Sequence, residues 1–212
     1  MKVLIVGAGG HGAMALECAR SAGLEPIGVL DDDPALAGTR VLDVSVVGSI
    51  ASAREHGAAG VVLGIGDNAI RSRIMIALAE RGLALPVVVH ARAMLSPSAR
   101  IGAGSLIAAG AVIGTRTTIG SGCIINSGAI VEHDCVIADG VHVAPGAALA
   151  GRVVVGARTF IGLHASVIDG RRIGADVLIA AGAVVIGNVP ASTRVAGVPA
   201  KPMTEQGADR RR

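Results

Sequence analysis

From Leu95 to Pro190 the chain repeats every six residues. Cut into hexads it reads LSPSAR, IGAGSL, IAAGAV, IGTRTT, IGSGCI, INSGAI, VEHDCV, IADGVH, VAPGAA, LAGRVV, VGARTF, IGLHAS, VIDGRR, IGADVL, IAAGAV, VIGNVP, with Leu, Ile or Val at every first position. A period of six is a multiple of the strand period of two and falls out of phase with a helix. The aliphatic positions therefore predict short strands, and the intervening Gly, Asn and Asp predict corners. Units of this kind bury their apolar face only by stacking on one another. If three hexads make one triangular turn, residues eighteen apart lie above one another at roughly 4.8 Å, and the repeat builds about five turns, a prism roughly 25 Å tall. The fifth position is small in most hexads (Ala99, Ser105, Ala111, Cys123, Ala129, Cys135, Ala147, Ala165, Ala183), as a narrow interior requires. Arg171 breaks this rule and is predicted to mark a bulge or a contact between protomers.

Ahead of the repeat the pattern changes. The apolar run Val3 to Val6 leads into Gly7-Ala8-Gly9-Gly10-His11-Gly12 and then into a helical spacing through Ala13, Met14, Leu16 and Ala19. Strand, glycine turn and helix in this order match G-x-G-x-x-G, in which glycines let a ligand approach the N–H groups at a helix N-terminus. A second strand, Pro26 to Leu30, ends in Asp31-Asp32-Asp33, where a carboxylate can accept hydrogen bonds from ribose hydroxyls. A further buried strand, Val61 to Ile65, ends in Gly66-Asp67-Asn68 before a helix carrying Ile70, Ile74 and Leu78, with Arg71 and Arg73 on another face. Candidate substrate-binding residues here are Gly9, Gly10, His11, Asp31, Asp32, Gly66, Asp67 and Asn68. The segment is too short for a complete dinucleotide fold, so a half-Rossmann-like α/β domain holding a nucleotide-linked substrate fits best. The expected organisation is this domain over residues 1–92, a parallel β-helix over 93–190 and a C-terminal tail over 191–212.

Composition narrows the classes. Trp and Tyr are absent and Phe160 is the one aromatic residue, which argues against reading nucleic acid by base stacking. The formal charge of +3 equals what Arg210, Arg211 and Arg212 contribute, leaving the body near neutral and without a basic face. Three cysteines, Cys18, Cys123 and Cys135, make no disulfide framework, and all three fall at core positions. No run approaches a membrane span and the N-terminal apolar run is too short for a signal peptide; the expected compartment is the cytoplasm.

Titratable side chains within the hexads concentrate at Glu132-His133-Asp134, with His142 nine residues on. Imidazole, with a reference pKa of about 6.5, is a natural base at neutral pH, and a neighbouring carboxylate can orient the ring and stabilise its charged form. His133 is thus the candidate general base, supported by Asp134 or Glu132. Gly151 lies eighteen residues beyond, one turn above on the same face, where its N–H could stabilise an oxyanion.

The hexad pattern resembles that of the hexapeptide-repeat acyltransferases, and GAGGHG, DDD, IGDN, INSGAIVEHDCVIADGVHVAPGA and the closing AGVPAKPM together resemble one family. It is the sugar acyltransferases of the sialic acid O-acetyltransferase and bacillosamine-pathway N-acetyltransferase type. The resemblance implies a left-handed β-helix and a homotrimer, with a nucleotide-linked amino sugar in the N-terminal domain and acetyl-CoA on the prism. It also implies reaction between protomers; with all three cysteines at core positions, direct attack is expected rather than an acyl-enzyme, and no metal is expected. It implies sugar-side contacts at Asn126 and His142, the thioester against Gly151 and His142, a pantetheine channel at Leu163 and Ala181, and a CoA phosphate partner in Lys201. His90-Ala91-Arg92 departs from the family's His-Pro. The expected activity is acetyl-CoA-dependent N-acetylation of the amino sugar. A sugar or sialic acid O-acetyltransferase is the alternative, and a γ-carbonic-anhydrase-like zinc lyase using His133, His142 and His164 a remote one.

Overall fold

A computed structural model describes residues 1–203; Arg210 to Arg212, whose charge equals the net charge of the chain, lie outside the described residues. The chain opens with an α/β unit: β1 (Lys2–Val6), α1 (Gly10–Ser21), β2 (Glu25–Leu30), β3 (Arg40–Val41), β4 (Val44–Gly48), β5 (Gly60–Leu63) and α2 (Asn68–Glu80). The sheet order is β3-β4-β2-β1-β5, parallel except for the short β3–β4 hairpin. Val3 to Val6 are fully buried because β1 is covered on both faces. Val3 and Ile5 pack with Ala15 and Leu16 of α1, whereas Leu4 and Val6 pack with Leu78 of α2. A Cβ on Gly12 would sit 1.8 Å from the Gly7 carbonyl oxygen, so helix and strand meet this closely only over glycine.

From Val88 onward the chain is a left-handed parallel β-helix. Sixteen two-residue strands, β7 (Met94–Leu95) to β22 (Val184–Val185), recur every six residues and stack into three sheets. Partners are eighteen residues apart, as in Ile124 with His142 and His142 with Phe160. First and fifth hexad positions fill the interior. Polar residues there are satisfied along the stack. Ser105 Oγ donates to the Gly120 carbonyl at 2.7 Å and accepts the Cys123 N–H at 2.9 Å, and Thr159 does the same with Gly174 and Val177. Cys123 and Cys135 donate their thiols to the carbonyls of Ala138 and Ala150. Burial pushes all three thiols up to about 11, which suits packing and not nucleophilic attack.

The three faces of the prism are not alike. The first contains Val112, Ile130, Ala148 and Ser166; the second Thr118, Val136 and Val154; the third Leu106, Ile124, His142, Phe160 and Leu178. The third face starts early, with β6 (Val88–Val89) paired to Leu106–Ile107. Val88, Leu106 and Ala108 share one core cluster with Val3, Ile5 and Leu16, so the α/β unit sits on the lower part of this face. The linker is tied down by the Ala91 N–H, which donates to Ser21 Oγ at 3.0 Å. A proline at position 91 would lack that donor.

Two corrections to the repeat follow from the last turn. Residues 191–203 are not simply a tail: β23 (Arg194–Ala196) extends the third face and β24 (Lys201–Pro202) folds back antiparallel on it. This turn is also two residues short, since Ile173 bridges Val189, and Leu178 pairs with Arg194. Arg171 therefore lies where the eighteen-residue stack ends, its Nε donating to the Asp169 carbonyl at 3.0 Å, and its long side chain needs no place in a covered interior.

Candidate active site

Along the edge between the second and third faces, α2 lies against stacked corner glycines. A Cβ on Gly122 would meet Met75 Sδ at 2.6 Å, and one on Gly140 would meet Ser72 Oγ at 2.4 Å. The helix pitch of about 5.4 Å and the coil rise of about 4.8 Å are close enough for successive helix turns to meet successive corners. Arg71 inserts between them and is 1% exposed. Its Nε donates to the Gly122 carbonyl, Nη1 to the carbonyls of Ile65 and Gly66, and Nη2 to Asn68 Oδ1 and the Gly140 carbonyl, at 2.7–3.1 Å. Every partner is neutral. Burial, the leading cause, holds the guanidinium down at about 10, although Cys123 and Asp67 act in the other direction. Sequence reasoning placed Arg71 on a helix face without a role. Nothing in the local pattern marks a buried arginine, because charged residues are buried only where distant partners converge.

Where the α/β unit ends, a cavity of about 470 Å³ opens on the third face; its lining includes His11, Gly66, Asn126, His142, Leu163 and Ala181. Residues expected on the sugar side and residues expected in the pantetheine channel thus share one space. His142 is 3% exposed. Asn126 Oδ1 accepts the Ser127 N–H at 2.8 Å, which turns Nδ2 toward His142 Nε2 at 3.1 Å. That nitrogen must then be the acceptor and Nδ1 must carry the proton. The His142 ring stands edge-on to His11 at 5.4 Å and to Phe160 at 5.0 Å. Burial pushes its pKa down to about 3, with Arg71 and then His11 adding to the effect and the Gly66 carbonyl opposing it. His11 is shifted down as well, by burial first and Arg71 second. The Nδ1 atoms of both rings are buried and have no hydrogen-bond partner among the described residues.

His133 is elsewhere. It lies on the edge between the first and second faces, nine residues or half a turn of the coil before His142 on the third face. Its Nδ1 is 2.8 Å from Asp134 Oδ2. Asp134 adopts φ +60°, a left-handed conformation that non-glycine residues seldom take. It is held there by Arg116 from the turn below, through Nε and Nη2 at 2.6 and 2.8 Å. Arg116, and secondarily His133, keep the Asp134 carboxyl well below the usual carboxylate range. Glu132 Oε2 accepts the His133 N–H at 3.3 Å and does not reach the ring. A Cβ on Gly151 would be 2.5 Å from His133 Cε1 and 2.6 Å from Nε2, so the ring lies directly over the glycine. Arg116, which carries the orienting carboxylate, was not singled out from the sequence; its eighteen-residue offset from Asp134 was the available signal.

The remaining sequence candidates fall at the carboxyl edge of the sheet. Gly9 and Gly10 begin α1 with open space where a Cβ would project. Asp31 accepts the N–H of Ala8 at 2.8 Å and of Asp33 at 3.0 Å, one on each oxygen. Asp32 accepts the Ile50 N–H at 2.9 Å through one oxygen only. Both carboxylates thus shape the loops around the glycine turn, and Asp32 keeps the freer oxygen. Asp67 caps α2 by accepting the Ile70 N–H, and Asn68 Nδ2 reaches the carbonyls of Arg158 and Thr159. Lys201 is exposed on β24.

Residues 2–78 match the PglD N-terminal domain, and residues 116–151 match the bacterial transferase hexapeptide (six repeats). The acetyltransferase domain of PglB from Neisseria gonorrhoeae is 36% identical, with TM-score 0.90, covering 95% of this chain and 99% of that one. PerB from Caulobacter crescentus, solved in complex with CoA and GDP-perosamine, is 40% identical with TM-score 0.90, covering 96% of this chain and 98% of that one. WeeI from Acinetobacter baumannii, 24% identical with TM-score 0.76, shares the fold over 96% of this chain and 100% of that one.

Proposed function

We propose, for a chain that belongs to the NeuD/PglD-like family of hexapeptide-repeat sugar acyltransferases, that His133 is its general base and Gly151 its oxyanion donor. The reaction is the transfer of an acetyl group from the co-substrate acetyl-CoA to the amino group of a nucleotide-linked sugar. The observation that carries the assignment of roles is the His133 ring itself. Its Nδ1 proton is committed to Asp134, so the Nε2 lone pair is left free directly over Gly151. Gly151 is a buried residue, and its N–H donates to no acceptor among the described residues. A thioester oxygen at this point would meet that donor as charge develops on it.

The sugar nucleotide belongs at the carboxyl edge of the N-terminal sheet, where Gly9, Gly10, Asp32 and the Gly66–Asn68 loop converge. Asn126, His11 and His142 line the way from there to the cavity, and Leu163 and Ala181 offer the apolar wall that a pantetheine arm needs. Lys201 is the cation offered to CoA phosphates. Because His133 and this cavity occupy different edges of one prism, a complete site takes His133 from one protomer and the cavity from its neighbour. A homotrimer supplies that pairing around a three-sided prism. It also covers the apolar first face, where Met94 and Ile130 stand exposed. No helix among the described residues is long and apolar enough to cross a membrane. We place the enzyme in the cytoplasm, where acetyl-CoA is available.

A thiol-release assay with acetyl-CoA tests the reading, against GDP-perosamine, other nucleotide-linked 4-amino sugars and sialic acid. Release with an amino sugar, lost in His133→Ala, is expected. Release with sialic acid alone would transfer the reading to O-acetylation.

A further inference from the structure

The space over Gly151 has a second wall. A Cβ there would lie 3.1 Å from Asp169 Oδ1, as well as 2.6 Å from His133 Nε2. Asp169 is two turns beyond His133 on the same edge, thirty-six residues on, and Oδ2 takes Arg152 Nη2. Oδ1 is left facing His133 across the glycine, with no hydrogen bond among the described residues. The charged groups around this point are Glu132, Asp134 and Asp169, balanced by Arg116, Arg152 and Arg171, all exposed or half-buried.

Both open atoms are acceptors. His133 Nε2 is one because Nδ1 carries the ring proton, and a carboxylate oxygen is one by nature. The N–H of Gly151, the residue beside both atoms, is a donor. A ligand group that satisfies this arrangement needs two N–H or O–H bonds diverging from one atom, and a lone pair directed at a carbon whose oxygen faces the glycine. A neutral primary amine has two hydrogens and one lone pair and fills all three requirements. A hydroxyl has one hydrogen, so either His133 or Asp169 would face an oxygen lone pair without a proton between them.

Resting on the acetyl-transfer reading above, we infer that Asp169 is a substrate-contacting residue that accepts the second N–H of the acceptor amine, and that it selects amine over hydroxyl acceptors. In the step this implies, the amine lone pair forms the C–N bond to the thioester carbon while one N–H proton passes to His133 Nε2. Collapse of the tetrahedral adduct breaks the C–S bond, and the proton moves from His133 to the CoA sulfur. The second hydrogen stays on nitrogen as the amide N–H, still donated to Asp169. Discrimination of this kind is strong because the wrong ligand leaves polar groups of the site unpaired.

The test uses the full-length protein with Asp169→Asn and Asp169→Ala, acetyl-CoA, and GDP-perosamine beside its 4-hydroxy counterpart. Asp43→Asn, which breaks the exposed Arg20–Asp43 pair far from the site, is the matched control. Loss of a hydrogen bond to a charged partner raises KM for the amine roughly tenfold or more. The ratio of kcat/KM for amine over hydroxyl falls by a similar factor, kcat for the amine changes less, and the dissociation constant of acetyl-CoA and the melting temperature stay at the control values. An unchanged amine KM, or an unchanged amine-to-hydroxyl ratio, overturns the role of Asp169 alone. A wild-type enzyme that acetylates no amine overturns it together with the reading it rests on.

Discussion

The imidazole of His133 occupies the volume that any side chain on Gly151 would need, with Cε1 only 2.5 Å from the place of a Cβ. The two residues are eighteen apart, one full turn of the coil. Gly151 is not among the residues with positive φ, so its backbone suits alanine and the His133 ring is the main obstacle, with Asp169 Oδ1 at 3.1 Å a lesser one. Gly151→Ala is expected to displace His133 from its bond to Asp134. It should lower kcat by about 10- to 100-fold through misplacement of the base, with little change in melting temperature. Wild-type kcat in that variant would show that the ring position is immaterial to catalysis.

His133→Ala should lower kcat by on the order of 10²- to 10⁴-fold, the usual range for loss of a general base, in a protein that melts like wild type. His142→Ala should cost less, with part of the loss in KM. With its pKa down at about 3, His142 stays neutral throughout any practical assay range. The acidic limb of kcat/KM should therefore persist in His142→Ala and vanish in His133→Ala. Steady-state kinetics between pH 5 and 9 decide, and the reverse pattern would make His142 the base.

Stability should fall on mild acidification. The folded-state pKa of His142 is lowered from 6.5 to about 3, and that of His11 is lowered too. Between the two His142 values the unfolded chain binds the extra proton, so stability is fully present above pH 6.5 and is lost progressively as pH falls toward 3. The slope is up to about 1.4 kcal/mol per pH unit for each such proton. Urea midpoints at pH 7, 6 and 5 should decline, and His142→Gln should decline less steeply. Parallel curves would mean that His142 is not buried as a neutral ring.

The glycine turn separates ligand effects from folding effects. Gly9→Ala projects its methyl into open space from φ −83°, so the protein should fold normally, bind acetyl-CoA as before and lose affinity for the nucleotide sugar. Gly12→Ala would drive its methyl to 1.8 Å from the Gly7 oxygen, and α1 would have to lift off β1. Thermal melts and titration with GDP-perosamine distinguish the two; equal destabilisation would contradict the packing described.

Much of the fold is legible in one dimension because the hexad repeat is a local rule. An aliphatic residue every six positions and a small one at the fifth specify strands, corners and a narrow interior, and stacking then places Gly151 over His133 by counting alone. The glycine turn and α1 are legible for the same reason, since a steric requirement at one or two positions has a compositional signature. Other features depend on which coil meets which helix, and tertiary structure decided them. Arg71 is buried only because carbonyls from residues 65, 66, 122 and 140 converge on it. The Asp31 carboxylate is drawn into loop structure by N–H groups of residues 8 and 33. The final turn is short because Asn188 Oδ1 accepts the Arg172 N–H and lets the chain cut the corner. The placement of His133 on one edge of the prism and His142 on another face follows from the triangular winding, in which nine residues are half a turn and carry a side chain around the coil.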